Sequence, residues 1–167
     1  DLASASMSNR AAEIPTKLEL RGDRIEVPAE QARAIIVDIF NRLGCHDDTS
    51  QAITAHLIEA NLCGVESHGV MRVMQYAERM RSGTLGVGVR PEVRTTETGA
   101  TMIDGGMGSG IPAMSLAYET VISLARDSGL AAVPIINTGH TRAHGAYADA
   151  PAAQRFRTTC PGGGPVP

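Results

Sequence analysis

The apolar positions fall into periodic runs, and the period changes partway along the chain. From Pro28 onward, Ala32, Ile35, Ile36, Ile39, Phe40 and Leu43 recur at i, i+3, i+4, i+7, i+8 and i+11, one stripe of an α-helix closed by Gly44. Asp48 and Gln51 have the spacing of a capping box, and Ile53, Leu57 and Ala60 continue at helical spacing to Gly64, predicting a second helix. Ser67 is the expected cap of a third helix, with Val70, Val73, Met74 and Ala77 as its packed face and Ser82-Gly83 as its end. Beyond a glycine-rich connection the pattern shortens, and residues 92–97 and 100–104 read as the strands of a hairpin turning at Gly99. Pro112 then opens a helix whose face carries Met114, Ala117, Val121, Leu124 and Ala125 and which Gly129 stops. Leu130 to Asn137 reads as a buried strand, and a short helix is expected from near Gly145.

Helices first and strand–helix alternation afterwards predict an α/β fold with an all-helical start. The expected division is a loose leader over 1–24, with Met7 as the natural start, a helical segment over 25–90, an α/β segment over 91–150 and a divergent or truncated tail over 151–167. The chain contains no internal repeat.

Composition narrows the partners. With a formal charge of −3 and 3% aromatic residues, the 167-residue chain lacks both the basic footprint and the stacking groups that nucleic-acid binding needs. No apolar run approaches the roughly 18–20 residues of a membrane span. The amino end lacks the pattern of a signal peptide, so the expectation is a soluble, cytoplasmic protein. Cys45, Cys63 and Cys160, an odd number without a CxxC pair, are expected as reduced thiols in small apolar niches.

At 100° per residue along the third helix, His68, Arg72 and Tyr76 lie within about 80° of one another and about 150° from its apolar stripe. The rise spreads them over about 12 Å, a length suited to a small organic acid. A guanidinium fork binds a carboxylate through two hydrogen bonds, and an imidazole titrating near neutrality can move a proton to the neighbouring oxygen. The plainer explanation is a solvated face of mixed polar residues, and Gln75 and Arg79 beside the three favour it.

The run Gly64-Val-Glu-Ser-His-Gly-Val-Met-Arg-Val-Met-Gln-Tyr76 resembles the signature of the malate/L-lactate dehydrogenase-like oxidoreductases. Their members include ureidoglycolate and sulfolactate dehydrogenases and piperideine-2-carboxylate reductases. Arg90-Pro91, Ile103-Asp104-Gly105 and Asn137-Thr-Gly-His140 follow in the order and spacing of that family, so the resemblance extends from Pro28 to Asp149. It implies a helical substrate-side layer followed by the start of a cofactor domain that is not a Rossmann fold, in a homodimer. The reaction implied is hydride transfer between NADH or NADPH and a small 2-oxo or 2-hydroxy acid, or a cyclic imino acid. By the same resemblance His68 is the proton donor and Ser67 its hydrogen-bonded relay, while Arg72 and Tyr76 hold the carboxylate side. His140, with Thr141, lies beside the nicotinamide; in some members this histidine position is assigned the acid/base role instead.

Other signals point less far. Gly106, Gly108 and Gly110 suggest a dinucleotide fingerprint, but its third glycine falls at Ile111, and a plain strand-to-helix turn is favoured. His140 and His144 lack a third ligand, so no metal is expected, and His46 and His56 read as polar neighbours of helix ends and faces. The sequence departs from the family in the bulky Thr141-Arg-Ala-His-Gly145, in Pro134 within a strand and in Pro151, which costs about 3 kcal/mol inside a helix. The family it resembles continues for about as many residues again, with most of the cofactor domain, so the isolated chain is expected to bind nicotinamide cofactor weakly or not at all. The rival expectation is a non-catalytic fragment or pseudoenzyme that keeps only the packing or dimer contact of the fold.

Overall fold

The computed structural model describes residues 25–141 and 147–162. Three helices open the fold: α1 (Ala29–Arg42), α2 (Asp47–Leu62) and α3 (Arg72–Arg81), with a short 3₁₀ turn, Glu66–His68, between α2 and α3. α1 and α2 end alike. Gly44 and Gly64 adopt φ of 96° and 75°, and the amides just past each end (Gly44 to Asn41 O, Cys45 to Phe40 O; Gly64 to Asn61 O, Val65 to Ala60 O) close on the last turn. This is the double bond of a Schellman cap, which satisfies carbonyls the helix leaves without partners and favours glycine at the left-handed position.

The expected capping box at Asp48 does not form. His46 precedes α2, and the Asp48 carboxylate instead accepts from the Thr49 amide at 2.8 Å and from Arg90 Nη1 at 2.6 Å. That ion pair ties the start of α2 to the segment entering the sheet.

A second layer follows. β1 (Glu92–Thr95) and β2 (Thr101–Asp104) form the expected hairpin, α4 (Gly110–Ser128) crosses over, and β3 (Ile135–Ile136) returns parallel to β2, giving the order β1-β2-β3. Strand, helix and parallel strand make a βαβ unit behind the helices, so the fold is α/β with a helix-rich start. α4 begins before Pro112: Ser109 caps it, its Oγ accepting from the Ile111 amide, and Pro112 occupies the first turn, where no amide donor is required.

The expected strand over 130–137 contracts to two residues on the sheet edge, and Leu130 is 85% exposed. Pro134 has no amide to pair, but its carbonyl accepts from the Ile103 amide at 2.9 Å, so the sheet uses it from the acceptor side alone. Gly145 lies outside the described residues. The last helix, α5 (Asp149–Ala153), carries Pro151 in its first turn, where it breaks no hydrogen bond.

Two apolar clusters hold the layers. Ile36 and Phe40 of α1, Ile53 and Leu57 of α2, and Val73 and Met80 of α3 form the larger; Ile103, Ala113 and Ala117 pack α4 on the sheet. None of the described helices is long and apolar enough to cross a membrane. The three cysteines are free thiols, but Cys63 is exposed rather than buried as expected. Burial pushes the half-buried Cys45 thiol up.

Candidate functional site

The segment between α2 and α3 does not extend the third helix back to Ser67. In a helix capped there, the Ser67 hydroxyl would accept from the Gly69 or Val70 amide. Instead the Gly69 amide closes on Glu66 O at 2.8 Å, and the Val70 amide donates to Asn61 Oδ1 of α2 at 2.7 Å. The serine is left to its neighbour, and Ser67 Oγ lies 2.9 Å from His68 Nδ1. A hydroxyl at that distance serves either ring state, accepting from Nδ1–H or donating to a bare Nδ1.

Arg72, the first residue of α3, folds back on the same turn. Its Nε donates to Ser67 O at 2.7 Å and its Nη1 to Gln75 Oε1 at 2.8 Å. Two bonds from one planar group fix the guanidinium's orientation, and Gln75, read from the sequence as a sign of an ordinary solvated face, is one of the anchors.

Tyr76 is not where helical stepping from His68 puts it. It is 4% exposed, in the larger cluster with Ile36, Leu57 and Val73. Because α3 starts afresh at Arg72, its buried face is Val73, Tyr76, Ala77 and Met80, at i, i+3, i+4 and i+7, while Met74, expected to pack, is 69% exposed. The face of three polar groups is thus corrected to two, Ser67–His68 and Arg72, with Tyr76 on the packed side. Counting tyrosine among the apolar residues would have found this stripe.

His140 reaches the same region from the far end of the described fold. The rings of His68 and His140 stand 6.2 Å apart between centroids, tilted by 37°. Its segment, 137–140, is pressed against the glycine turn after β2: the Gly139 amide donates to Gly108 O at 2.8 Å and the Met107 amide to Asn137 O at 2.6 Å. A Cβ on Gly110 would come within 2.6 Å of Gly139 O and 2.7 Å of His140 O, and one on Gly105 within 2.7 Å of Thr138 Cβ. The glycines therefore serve a backbone-to-backbone approach and fill their own concavity with protein.

Below that contact lies a residue that sequence reasoning quoted only as part of a motif. Asp104, 7% exposed, accepts from the Gly106 amide at 3.0 Å and Asn137 Nδ2 at 3.2 Å, and pairs with Arg94 Nη1 at 3.0 Å. The Gly106 amide, then the Asn137 amide and the Arg94 guanidinium, hold its carboxyl below the usual carboxylate range against an opposing effect of burial.

The other candidates find partners elsewhere. Thr141 is half-buried, its carbonyl accepting from the Tyr147 hydroxyl at 3.2 Å. His56 stacks on Tyr147 at 5.1 Å, and His46 Nε2 lies 3.2 Å from Gly88 O. His144 lies outside the described residues. Among the described residues no three His, Cys, Asp or Glu side chains gather as metal ligands. A hollow of about 450 Å³ opens between α4 and α5 beside Tyr118 and Tyr147, away from His68 and His140.

The solved structure of malate dehydrogenase from Pyrococcus horikoshii matches with a TM-score of 0.70 at 29% identity, over 78% of this chain and 37% of that one. The fold is therefore that of an α/β dehydrogenase. The chain belongs to the malate/L-lactate dehydrogenase family, whose model matches residues 27–157. Among curated proteins, the malate dehydrogenase of Pyrococcus horikoshii is 32% identical over 126 residues, 74% of this chain and 34% of that protein. The Delta(1)-pyrroline-2-carboxylate/Delta(1)-piperideine-2-carboxylate reductase of Pseudomonas putida is 29% identical over 116 residues, 70% of this chain and 34% of that protein. The chain spans about a third of the length of these relatives.

Proposed function

We propose that this chain carries the proton-transfer and carboxylate-binding side of a cytoplasmic oxidoreductase. Its reaction is hydride transfer between NADH or NADPH and a small 2-oxo or 2-hydroxy acid, or a related cyclic imino acid. The observation that carries the reading is the approach of the His68 and His140 rings to 6.2 Å, with Ser67 Oγ held on His68 Nδ1.

The serine is what selects His68 as the proton donor. As imidazolium, His68 donates Nδ1–H to Ser67 Oγ and presents Nε2–H to the oxygen or nitrogen on which charge develops. Once Nε2 has released its proton the Nδ1–H···Oγ bond persists, so the ring keeps one orientation as acid and, in the reverse direction, as base. The His140 ring stands beside that of His68, so the two imidazoles handle the proton together. Arg72 uses Nε and Nη1 on the protein, and the remainder of its fork is directed to the substrate carboxylate. Tyr76 contributes by packing α3 rather than by touching substrate.

The described residues suit the reacting end of a nicotinamide cofactor and not its phosphates, because the glycine turn that could cradle a phosphate is filled by segment 137–140. His140 and Thr141 would lie along the nicotinamide, which supplies the hydride when bound. The test is NADH and NADPH oxidation against a panel of 2-oxo acids and cyclic imino acids. Turnover that requires the carboxylate supports the reading, and equal turnover of ketones lacking one overturns it. A non-catalytic role is the second reading; failure of every substrate in the panel would select it.

A further inference from the structure

Asp104 ends β2 with a nearly buried charge where an aliphatic side chain would satisfy the packing. A carboxylate taken out of water is stabilising only when its partners are well placed, and replacing a buried ion pair by apolar residues is often neutral or better. The three partners of Asp104 come from three places: Arg94 across the hairpin, Gly106 in the glycine turn and Asn137 at the start of the segment that ends in His140. Asn137 adopts φ of 50°, a left-handed conformation uncommon in residues other than glycine, and its carbonyl and side chain are both engaged, by the Met107 amide and by Asp104.

We infer that Asp104 is a positioning residue for His140: by tying Asn137 to the glycine turn it sets the distance between the His140 and His68 rings. The inference rests on the reading of that pair as the reaction centre, and deepens it. With Asp104 removed, Asn137 loses the bond that holds its side chain, and segment 137–140 keeps only its backbone bonds to the glycine turn at Met107 and Gly108. A shift of about 1 Å in a reacting group can cost about a hundredfold in rate.

The experiment is histidine-selective NMR on the whole chain, with Asp104→Ala, which removes the oxygen that accepts from Asn137, and Asn137→Gly variants. The wild type is expected to show an NOE between the ring protons of His68 and His140, and both variants to lose it while Ile53 and Leu57 of the helical core keep their dispersed methyl signals. Asn137→Gly tolerates the left-handed backbone and deletes only the side-chain amide, so it decides the matter alone if Asp104→Ala does not fold. An NOE that survives in a folded variant overturns the inference. If the wild type turns over substrate, kcat in the variants should fall about tenfold to a hundredfold with KM little changed. An NOE lost in the variants of a chain that turns over nothing upholds the positioning and defeats the reaction, so the two claims fail separately.

Discussion

Gly69 is buried between the two halves of the site's framework, and substituting it tests whether Asn61 holds the serine–histidine turn. The backbone there is extended, φ −93° and ψ −153°, so an alanine meets no conformational strain and the effect is purely steric. A Cβ on Gly69 would stand 1.6 Å from Asn61 Oδ1 and 2.6 Å from its Cγ. The Asn61 carboxamide must leave, and its bond to the Val70 amide, 2.7 Å long, goes with it. An amide stranded in a partly buried turn costs about 1–3 kcal/mol, a substantial part of a total stability of about 5–15 kcal/mol. Asn61→Ala should cost the same bond, less about 0.5 kcal/mol regained from alanine's helix preference. The two changes remove one interaction, so the double variant Asn61→Ala/Gly69→Ala should be about as stable as Asn61→Ala alone, with a coupling as large as the cost of Gly69→Ala itself, about 1–3 kcal/mol. Urea unfolding followed by far-ultraviolet circular dichroism, at unchanged m-value, reads the four stabilities. Additive losses, or Gly69→Ala within about 0.5 kcal/mol of wild type, would refute the reasoning.

Further outcomes follow from the same geometry. Asp104 has a depressed folded pKa, so its contribution to stability is complete above the ordinary carboxylate value near 4 and is lost as the pH falls below it. Acid titration of unfolding in wild type and Asp104→Asn should therefore differ at pH 6 and converge toward pH 2; parallel curves would remove that role. Tyr76→Ala, which empties a core position, should cost about 3–5 kcal/mol in thermal or urea unfolding, whereas a tyrosine facing a pocket would cost far less. Arg72→Lys loses both the planar fork and the anchoring on Ser67 and Gln75, so KM for the acid should rise about tenfold or more in steady-state kinetics while stability changes by less than about 1 kcal/mol.

Much of the helical layer was legible because its signals are local. The stripes of α1 and α2, and Gly44 and Gly64 past their ends, each depend on residues within one or two turns. The site was legible only in part. Ser67 looks like a helix cap until Asn61, on the preceding helix, takes the amide the cap would have bound, and that competition is invisible to periodicity. Tyr76 was misplaced for the same reason, since a face counted from His68 does not survive a helix that begins at Arg72. The apolar run 130–137 predicted a longer strand than the sheet can pair beside a proline at its edge. The meeting of His68 with His140, and the bridge of Asp104 between hairpin and loop, depend on the crossover through α4; spacing gave no hint of either, and only the resemblance to a family placed the two histidines in one site.

The central claim is that His68 and His140 act as one proton-handling pair. Steady-state oxidation of NADH or NADPH with the preferred acid, measured for His68→Ala, His140→Ala and the double variant, addresses it most directly. The account predicts that each single change lowers kcat about a hundredfold or more and that the double variant is little worse than the poorer single one, because groups that work as a unit are not additive. Turnover unchanged in both single variants, or losses that multiply in the double, would contradict it.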